Sequence, residues 1–279
     1  ALQQGINASA RSADTTTALQ WAVQGDHIDI VELLLSKGAD AKTANRYGVT
    51  AAALAAENGN AKIMNMLLSA GVDPNQSMPE GETLLMTAAR TGNAATVRML
   101  LEQGANPNNR ENSRGQTALM WAAGHNNVDA IRVMAEFNVK VNVKTDNPTR
   151  IADRVFQYTP PTGFSALSFA VRSGHKEATD ALLDNGADIN DLVSDGQSVL
   201  VIAIANANWE LAAHLIDRGA DVTQAEAGWN ALHQAVRTRR MNLAFGTPGP
   251  RASGTLDSLD LLKKLLDAGI DVDARMTRN

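Results

Sequence analysis

The sequence predicts an all-α solenoid of helix-turn-helix units with projecting hairpins, and three observations predict it. First, an octet recurs: LLSKGADA (34–41), LLSAGVDP (67–74), LLEQGANP (100–107), LLDNGADI (182–189), LIDRGADV (215–222) and LLDAGIDV (265–272), with a weaker copy, MAEFNVKV, at 134–141. Second, Thr17, Thr50, Thr83, Thr117, Ser165, Ser198 and Asn230 each open the same short apolar text, at spacings of 33, 33, 34, 48, 33 and 32 residues. Third, a glycine stands two places before six of those seven residues, at 48, 81, 115, 163, 196 and 228. A period of this size marks stacked units that are each too small to bury an apolar face alone.

The unit explains itself from left to right. Every opening residue is Thr, Ser or Asn, whose side-chain oxygen accepts from the free N–H groups of a helix's first turn. TALQWAV, TAAALAA, TLLMTAA, TALMWAA, SALSFAV, SVLVIAI and NALHQAV then carry small residues five and six places on, which lets a short first helix lie close to its neighbours. Ten places past the cap comes a turn position held by His27, Asn60, Asn93, Asn127, His175 and Asn208. A second helix follows, as in IDIVELLLSKG (28–38), with apolar residues at helical spacing. It stops at the octet glycine, where left-handed backbone ends a helix without a Cβ clash. The weak copy has Asn138 there, the residue that tolerates this backbone next best. About ten polar residues, rich in turn formers, then make the hairpin that leads to the next cap.

The pattern G-x-T-x-L-x-x-A-A-x-x-G-N/H…LL-x-x-G-A-D resembles the ankyrin repeat, and the likeness covers essentially all of residues 1–279 as one solenoid. The family's T-P-L-H is approached at Asn230-Ala231-Leu232-His233, and its proline is missing from every copy. The resemblance implies an ankyrin-repeat solenoid that binds protein through a concave face, with first helices as palm and hairpins as fingers. Residues 1–16 read as the end of a truncated repeat, since Gly5 precedes Thr17 by the 12 residues that separate Gly38 from Thr50. Residues 272–279 enter a hairpin that meets no further cap, so the chain reads as the interior of a longer array. Residues 228–266 resemble a bacterial, exported subgroup of ankyrin proteins, which implies a periplasmic setting.

Composition narrows the chemistry. A net charge of −5 argues against nucleic acid as a partner, because that affinity comes largely from phosphate neutralisation by Lys and Arg. No apolar run reaches the ~18–20 residues of a membrane span. With no cysteine there is no disulfide, thiolate metal site or cysteine nucleophile. The five histidines show no HExxH, and repeats spread them apart; His214 stands by itself on a second helix. No phosphate loop, nucleophile elbow or paired-carboxylate cleft is recognisable, so the expectation is no enzyme, no cofactor and no metal.

Binding residues are therefore sought on the palm and in two departures from the period. Four places after each cap stand Trp21, Leu54, Thr87, Trp121, Phe169, Ile202 and Gln234, either a row of aromatic anchors or packing against the neighbouring hairpin. Seven places after the cap, Arg90, Arg172 and Arg237 recur. With Arg114 at a fingertip and Arg239, Arg240 and Arg251 in an insertion at 238–256, they suggest either a basic groove for carboxylates or an ordinary surface of Arg–Glu pairs. Arg46, Tyr47, Phe164 and Trp229, all close to a cap, complete the set. An insertion at 143–162 carries Arg150, Arg154, Phe156 and Tyr158, and a second at 238–256 parts the helices of the last repeat. Each is a functional loop or a tolerated one. The functional expectation is a protein-interaction scaffold whose groove receives an acidic or extended segment. A constitutive subunit of a larger assembly and a non-catalytic fragment of a longer enzyme are the alternatives.

Overall fold

The computed structural model describes residues 12–146, 162–239 and 254–277. Among them are fourteen α-helices and no strand beyond isolated bridges. The chain divides into two compact units, Ala1–Lys140 and Val141–Asn279.

In the first unit, α1 (Ala18–Gln24), α3 (Ala51–Asn58), α5 (Leu84–Thr91) and α7 (Ala118–Gly124) are the first helices. Paired with them are α2 (Ile28–Ser36), α4 (Ala61–Ser69), α6 (Ala94–Glu102) and α8 (Val128–Ala135). Each first helix packs on its own second helix, and α1 with α3, α3 with α5 and α5 with α7 also pack together, which gives two layers. The second unit repeats the scheme. Its first helices are α9 (Ala166–Arg172), α11 (Val199–Ala205) and α13 (Ala231–Arg239), and its second helices are α10 (Lys176–Asp184), α12 (Trp209–Asp217) and α14 (Ser258–Asp267).

The expected caps form at all seven positions. Thr17, Thr50, Thr83, Thr117, Ser165 and Ser198 each accept from the backbone N–H three residues on. Asn230 Oδ1 accepts from the N–H groups of Leu232 and His233, at 3.1 and 3.2 Å. His233 turns back on the cap, with Nδ1 2.7 Å from that oxygen, so its role is local and structural. The residues ten past the cap begin the second helices. Asn60 and Asn93 cap them through side-chain oxygens. Asn127 and Asn208 instead donate to carbonyls at the end of the preceding first helix: Ala89 and Arg90 for the former, Val171 and Arg172 for the latter.

All six octet glycines have φ between 80° and 94°, and Asn138 has φ 55°. At Gly104 (φ 90°) an added Cβ would meet nothing within 4 Å, so backbone conformation alone requires the glycine there.

Packing follows the repeat. Two places past the cap, Leu19, Ala52, Leu85, Leu119, Leu167 and Leu200 are at most 1% exposed; six places past it, Val23, Ala56, Ala89, Ala123, Val171 and Ile204 are all at 0%. In the last repeat the equivalents, Leu232 and Val236, are uncovered, and Val236 is 52% exposed. Burying such a side chain in water-free packing is worth about 1.5–3 kcal/mol, so stacking of neighbours, more than the propensity of seven- to ten-residue helices, holds the fold.

Candidate functional site

The palm arginines are set by the length of the first helix. A residue seven past the cap falls at its last turn. In the second unit Arg172 ends α9, and its guanidinium lies over the ring of Phe164, 5.6 Å from the centroid. Phe164 immediately precedes the Ser165 cap, is 6% exposed, and packs against Phe169 at 5.5 Å. The same arrangement recurs two repeats later. Arg237 lies over Trp229, 6.0 Å from its centroid, and Trp229 immediately precedes the Asn230 cap. Both arginines are exposed, and neither makes an ion pair among the described residues. Between them the corresponding residue of α11 is Ala205, which leaves a bare step. Stacking on a ring orients the planar guanidinium while its N–H edge stays free for a carboxylate, worth about 0.5–1 kcal/mol at an exposed site.

The first unit treats its arginines differently. Arg90 also lies near a ring, 5.9 Å from the Trp121 centroid, but its Nη2 is 2.5 Å from Glu57 Oε2. Glu57 is the residue one repeat earlier at the same place, so this position is already neutralised. Trp121 is half-buried and its indole N–H is buried without a partner. Arg46 and Tyr47 are an exposed hairpin pair, with Nη2 donating to the Tyr hydroxyl at 2.6 Å and the guanidinium 4.9 Å from the ring centre. Trp21 is 58% exposed, whereas its equivalents Thr87, Ile202 and Gln234 are buried. The row four past the caps therefore divides, with packing the answer for those three.

Arg114 is exposed at its fingertip, and its backbone N–H donates to Glu111 at 2.8 Å. Arg239 closes α13. Arg150, Arg154, Phe156, Tyr158, Arg240 and Arg251 lie outside the described residues. The first insertion leaves from a closed neck: Thr145 N–H donates to the Phe164 carbonyl, and Phe164 N–H to Thr145 Oγ1, both at 2.9 Å. Lys144 pairs there with the buried Asp191 at 2.7 Å. On the far side of the second insertion, Glu210 accepts from the N–H groups of Thr255 and Leu256 at 2.6 and 3.3 Å, which lowers its carboxyl pKa.

Three features escape a reading by motif. Glu111 is 7% exposed; burial pushes its pKa up, but hydrogen bonds from the Ser113 side chain and from the N–H groups of Gln116, Ser113 and Arg114 more than offset this, and the pKa is lowered. His214 is not by itself: Nε2 is 2.6 Å from Asp180 Oδ1, which also meets Arg218 at 2.6 Å, while Lys176 lies 3.3 Å from Asp180 Oδ2. Burial raises the Asp180 pKa, and His214 and then Lys176 bring it below the usual range. A second helix one period away supplied the partner that the histidine's own helix lacks. The third feature is a groove of ≈ 790 Å³ at the last repeat, lined by Trp229, Leu232, Val236, Arg237, Val272 and Met276, with Asp195 and Glu226 on its finger side. Its apolar residues mark it because the equivalents of Leu232 and Val236 are buried in every other described repeat.

The ankyrin repeat profile, in its three-copy form, matches residues 1–78, 71–146, 115–193 and 167–276. The chain belongs to the ankyrin-repeat family. Among curated relatives, the E3 ubiquitin-protein ligase XBAT33 of Arabidopsis thaliana is 38% identical over 73 residues, which are 25% of this ankyrin chain but 14% of the relative's length. The crystal structure of the human ASB11 ankyrin repeat domain matches with a TM-score of 0.67 at 20% identity, over 91% of this chain and 98% of that one. The second likeness shows the fold. Ankyrin repeats are in general protein–protein interaction modules. No described helix of this one is long and apolar enough to cross a membrane.

Proposed function

We propose that this ankyrin-repeat protein binds a partner protein through its concave face, and that Arg172 and Arg237 of the second unit receive an acidic or extended segment of it. One observation carries the reading: both arginines stand exposed at the same place in their repeats, oriented by a ring and without a carboxylate among the described residues. A guanidinium held in this way is a preformed half of a fork-to-fork pair. Arg90, already paired with Glu57, contributes less. On a chain of net charge −5, such local positive charge steers an acidic partner at close range and is screened over ~8–10 Å by physiological salt.

The test begins with recovery of the partner by co-purification from the native source, followed by association kinetics. Changing Arg172→Glu together with Arg237→Glu should slow association and flatten its salt dependence, with thermal stability nearly unchanged. Unchanged association by the double variant, or attachment through the second helices instead, refutes the reading. The resemblance of residues 228–266 to exported bacterial ankyrin proteins supports a periplasmic setting, which fractionation of the source cells tests.

A further inference from the structure

The first insertion enters its hairpin without opening it. Elsewhere the residue just before a cap accepts, through its carbonyl, from an N–H four or five places earlier. Val49 accepts from Asn45 at 2.9 Å, Glu82 from Met78 at 2.8 Å, and Gln116 from Glu111 and Gln197 from Val193 at 3.0 Å. The corresponding bond, from Thr145 N–H to the Phe164 carbonyl, is 2.9 Å long although 19 residues separate the two. A side-chain acceptor completes the closure. Asn45 Oδ1 takes the Val49 N–H at 3.0 Å and Glu111 Oε1 the Gln116 N–H at 2.9 Å; Thr145 Oγ1 takes the Phe164 N–H at 2.9 Å. The returning strand is held too: the Thr162 carbonyl accepts from Ser194 N–H at 2.9 Å, and Thr162 N–H donates to Ser194 Oγ at 3.0 Å. A third tie is ionic. Lys144 Nζ lies 2.7 Å from Oδ1 of Asp191, a carboxylate only 7% exposed, whose Oδ2 accepts from Ser168 of α9 at 3.2 Å. What differs from Val49, Glu82, Gln116 and Gln197 is the residue so held. Phe164 is aromatic and buried, and the guanidinium that ends α9, Arg172, lies over its ring at 5.6 Å. With N–H and carbonyl both pinned to Thr145, the ring has a fixed place, and the guanidinium on it inherits that place.

We propose that Thr145 is a positioning residue for the Arg172 station: by closing the neck of the insertion on both backbone groups of Phe164, it fixes the ring that aims the guanidinium at a partner's carboxylate. This rests on the reading that Arg172 receives an acidic segment, and it adds a control of that site. Coupling of this kind is reciprocal. An acid on Arg172 steadies the neck, and parting Thr145 from Phe164 weakens the hold on the acid, although Thr145 itself does not touch the partner.

The experiment uses the whole 279-residue chain and a fluorescein-labelled run of glutamates, followed by anisotropy at low salt and well below the melting temperature of every variant. Thr145→Val keeps the shape and removes the acceptor. It should weaken binding about two- to fivefold, which is what an exposed cation–π contact contributes. Thr145→Ser, which keeps the hydroxyl, should restore it. In a Phe164→Leu background Thr145→Val should have no further effect, since the ring through which it acts is gone. Glu111→Gln, which loosens the equivalent closure of a hairpin in the first unit, should leave binding within about twofold. In the parent, saturating peptide should slow exchange of the Phe164 N–H and leave that of Gln116 unchanged. Binding lost in Arg172→Gln yet unaltered by Thr145→Val overturns the positioning role and leaves the acidic-segment reading standing. A Thr145→Val effect that persists with Phe164→Leu, or an equal effect of Glu111→Gln, overturns it as well. If Thr145→Val does not fold, exchange in the parent decides, and a Phe164 N–H indifferent to the peptide overturns the proposal. No binding by the parent, or equal binding by Arg172→Gln, overturns both readings.

Discussion

Arg90 and Glu57 hold the same place in successive repeats, and their side chains meet at 2.5 Å. A translation of one repeat turns a sequence separation of 33 residues into direct contact. Arg98 and Glu136 (both N–H to O distances 2.8 Å) and Asp184 and Arg218 (2.7 Å) are further pairs about one period apart. Both partners at Arg90 and Glu57 are substantially exposed, so the pair contributes at most about 1 kcal/mol. Arg90→Gln should therefore change stability by less than about 1 kcal/mol and leave acidic-segment binding within twofold, whereas Arg172→Gln should weaken that binding. A stronger effect of Arg90→Gln than of Arg172→Gln would assign the site to the first unit.

Gly104→Ala should destabilise the protein by about 1 kcal/mol, because a Cβ is placed on left-handed backbone although no atom obstructs it. Asn138→Gly should act in the opposite sense, by a few tenths of a kcal/mol, since its φ of 55° is strained for a residue with a Cβ. Urea midpoints of the two variants measure both. A neutral Gly104→Ala would mean that this helix end relaxes out of the left-handed region.

Glu111 organises its hairpin as an ion, so its contribution depends on pH. Its pKa is lower folded than unfolded, which makes the stabilisation complete above the unfolded value of about 4.3. It is lost as pH falls through the folded value. Glu111→Gln exchanges a charged acceptor for an amide whose NH₂ faces donors, and should cost about 1–3 kcal/mol at pH 7. The difference between parent and variant should shrink below about pH 4, as denaturation followed at several pH values would register. A gap that stays constant to pH 3 would remove the ion from the account.

Ile204 and Val236 occupy equivalent places, one at 0% and the other at 52% exposure. Ile204→Ala should cost about 2–5 kcal/mol through lost burial and a cavity. Val236→Ala should cost less than about 0.5 kcal/mol, in the range of surface substitutions. Thermal melts of the two variants compare them directly, and a large loss for Val236→Ala would mean that the end face is covered in solution.

Much of this protein was legible without coordinates because its grammar is local. A cap and the N–H it serves lie three residues apart, and a stop glycine acts on its own backbone. The seven caps and Asn138 could thus be named from sequence, and the ankyrin likeness followed from them. The palm arginines were legible as positions, but not as to which of them is free. Arg90 is neutralised by a side chain 33 residues away, Arg172 lies over the buried ring of Phe164, and His214 finds Asp180 from the neighbouring helix. Val236 looks like any core valine, yet no described helix covers its face. Those outcomes depend on which side chains one repeat presents to the next. Only stacking, driven by apolar burial between repeats, brings those groups within the few ångströms over which hydrogen bonds and ion pairs act.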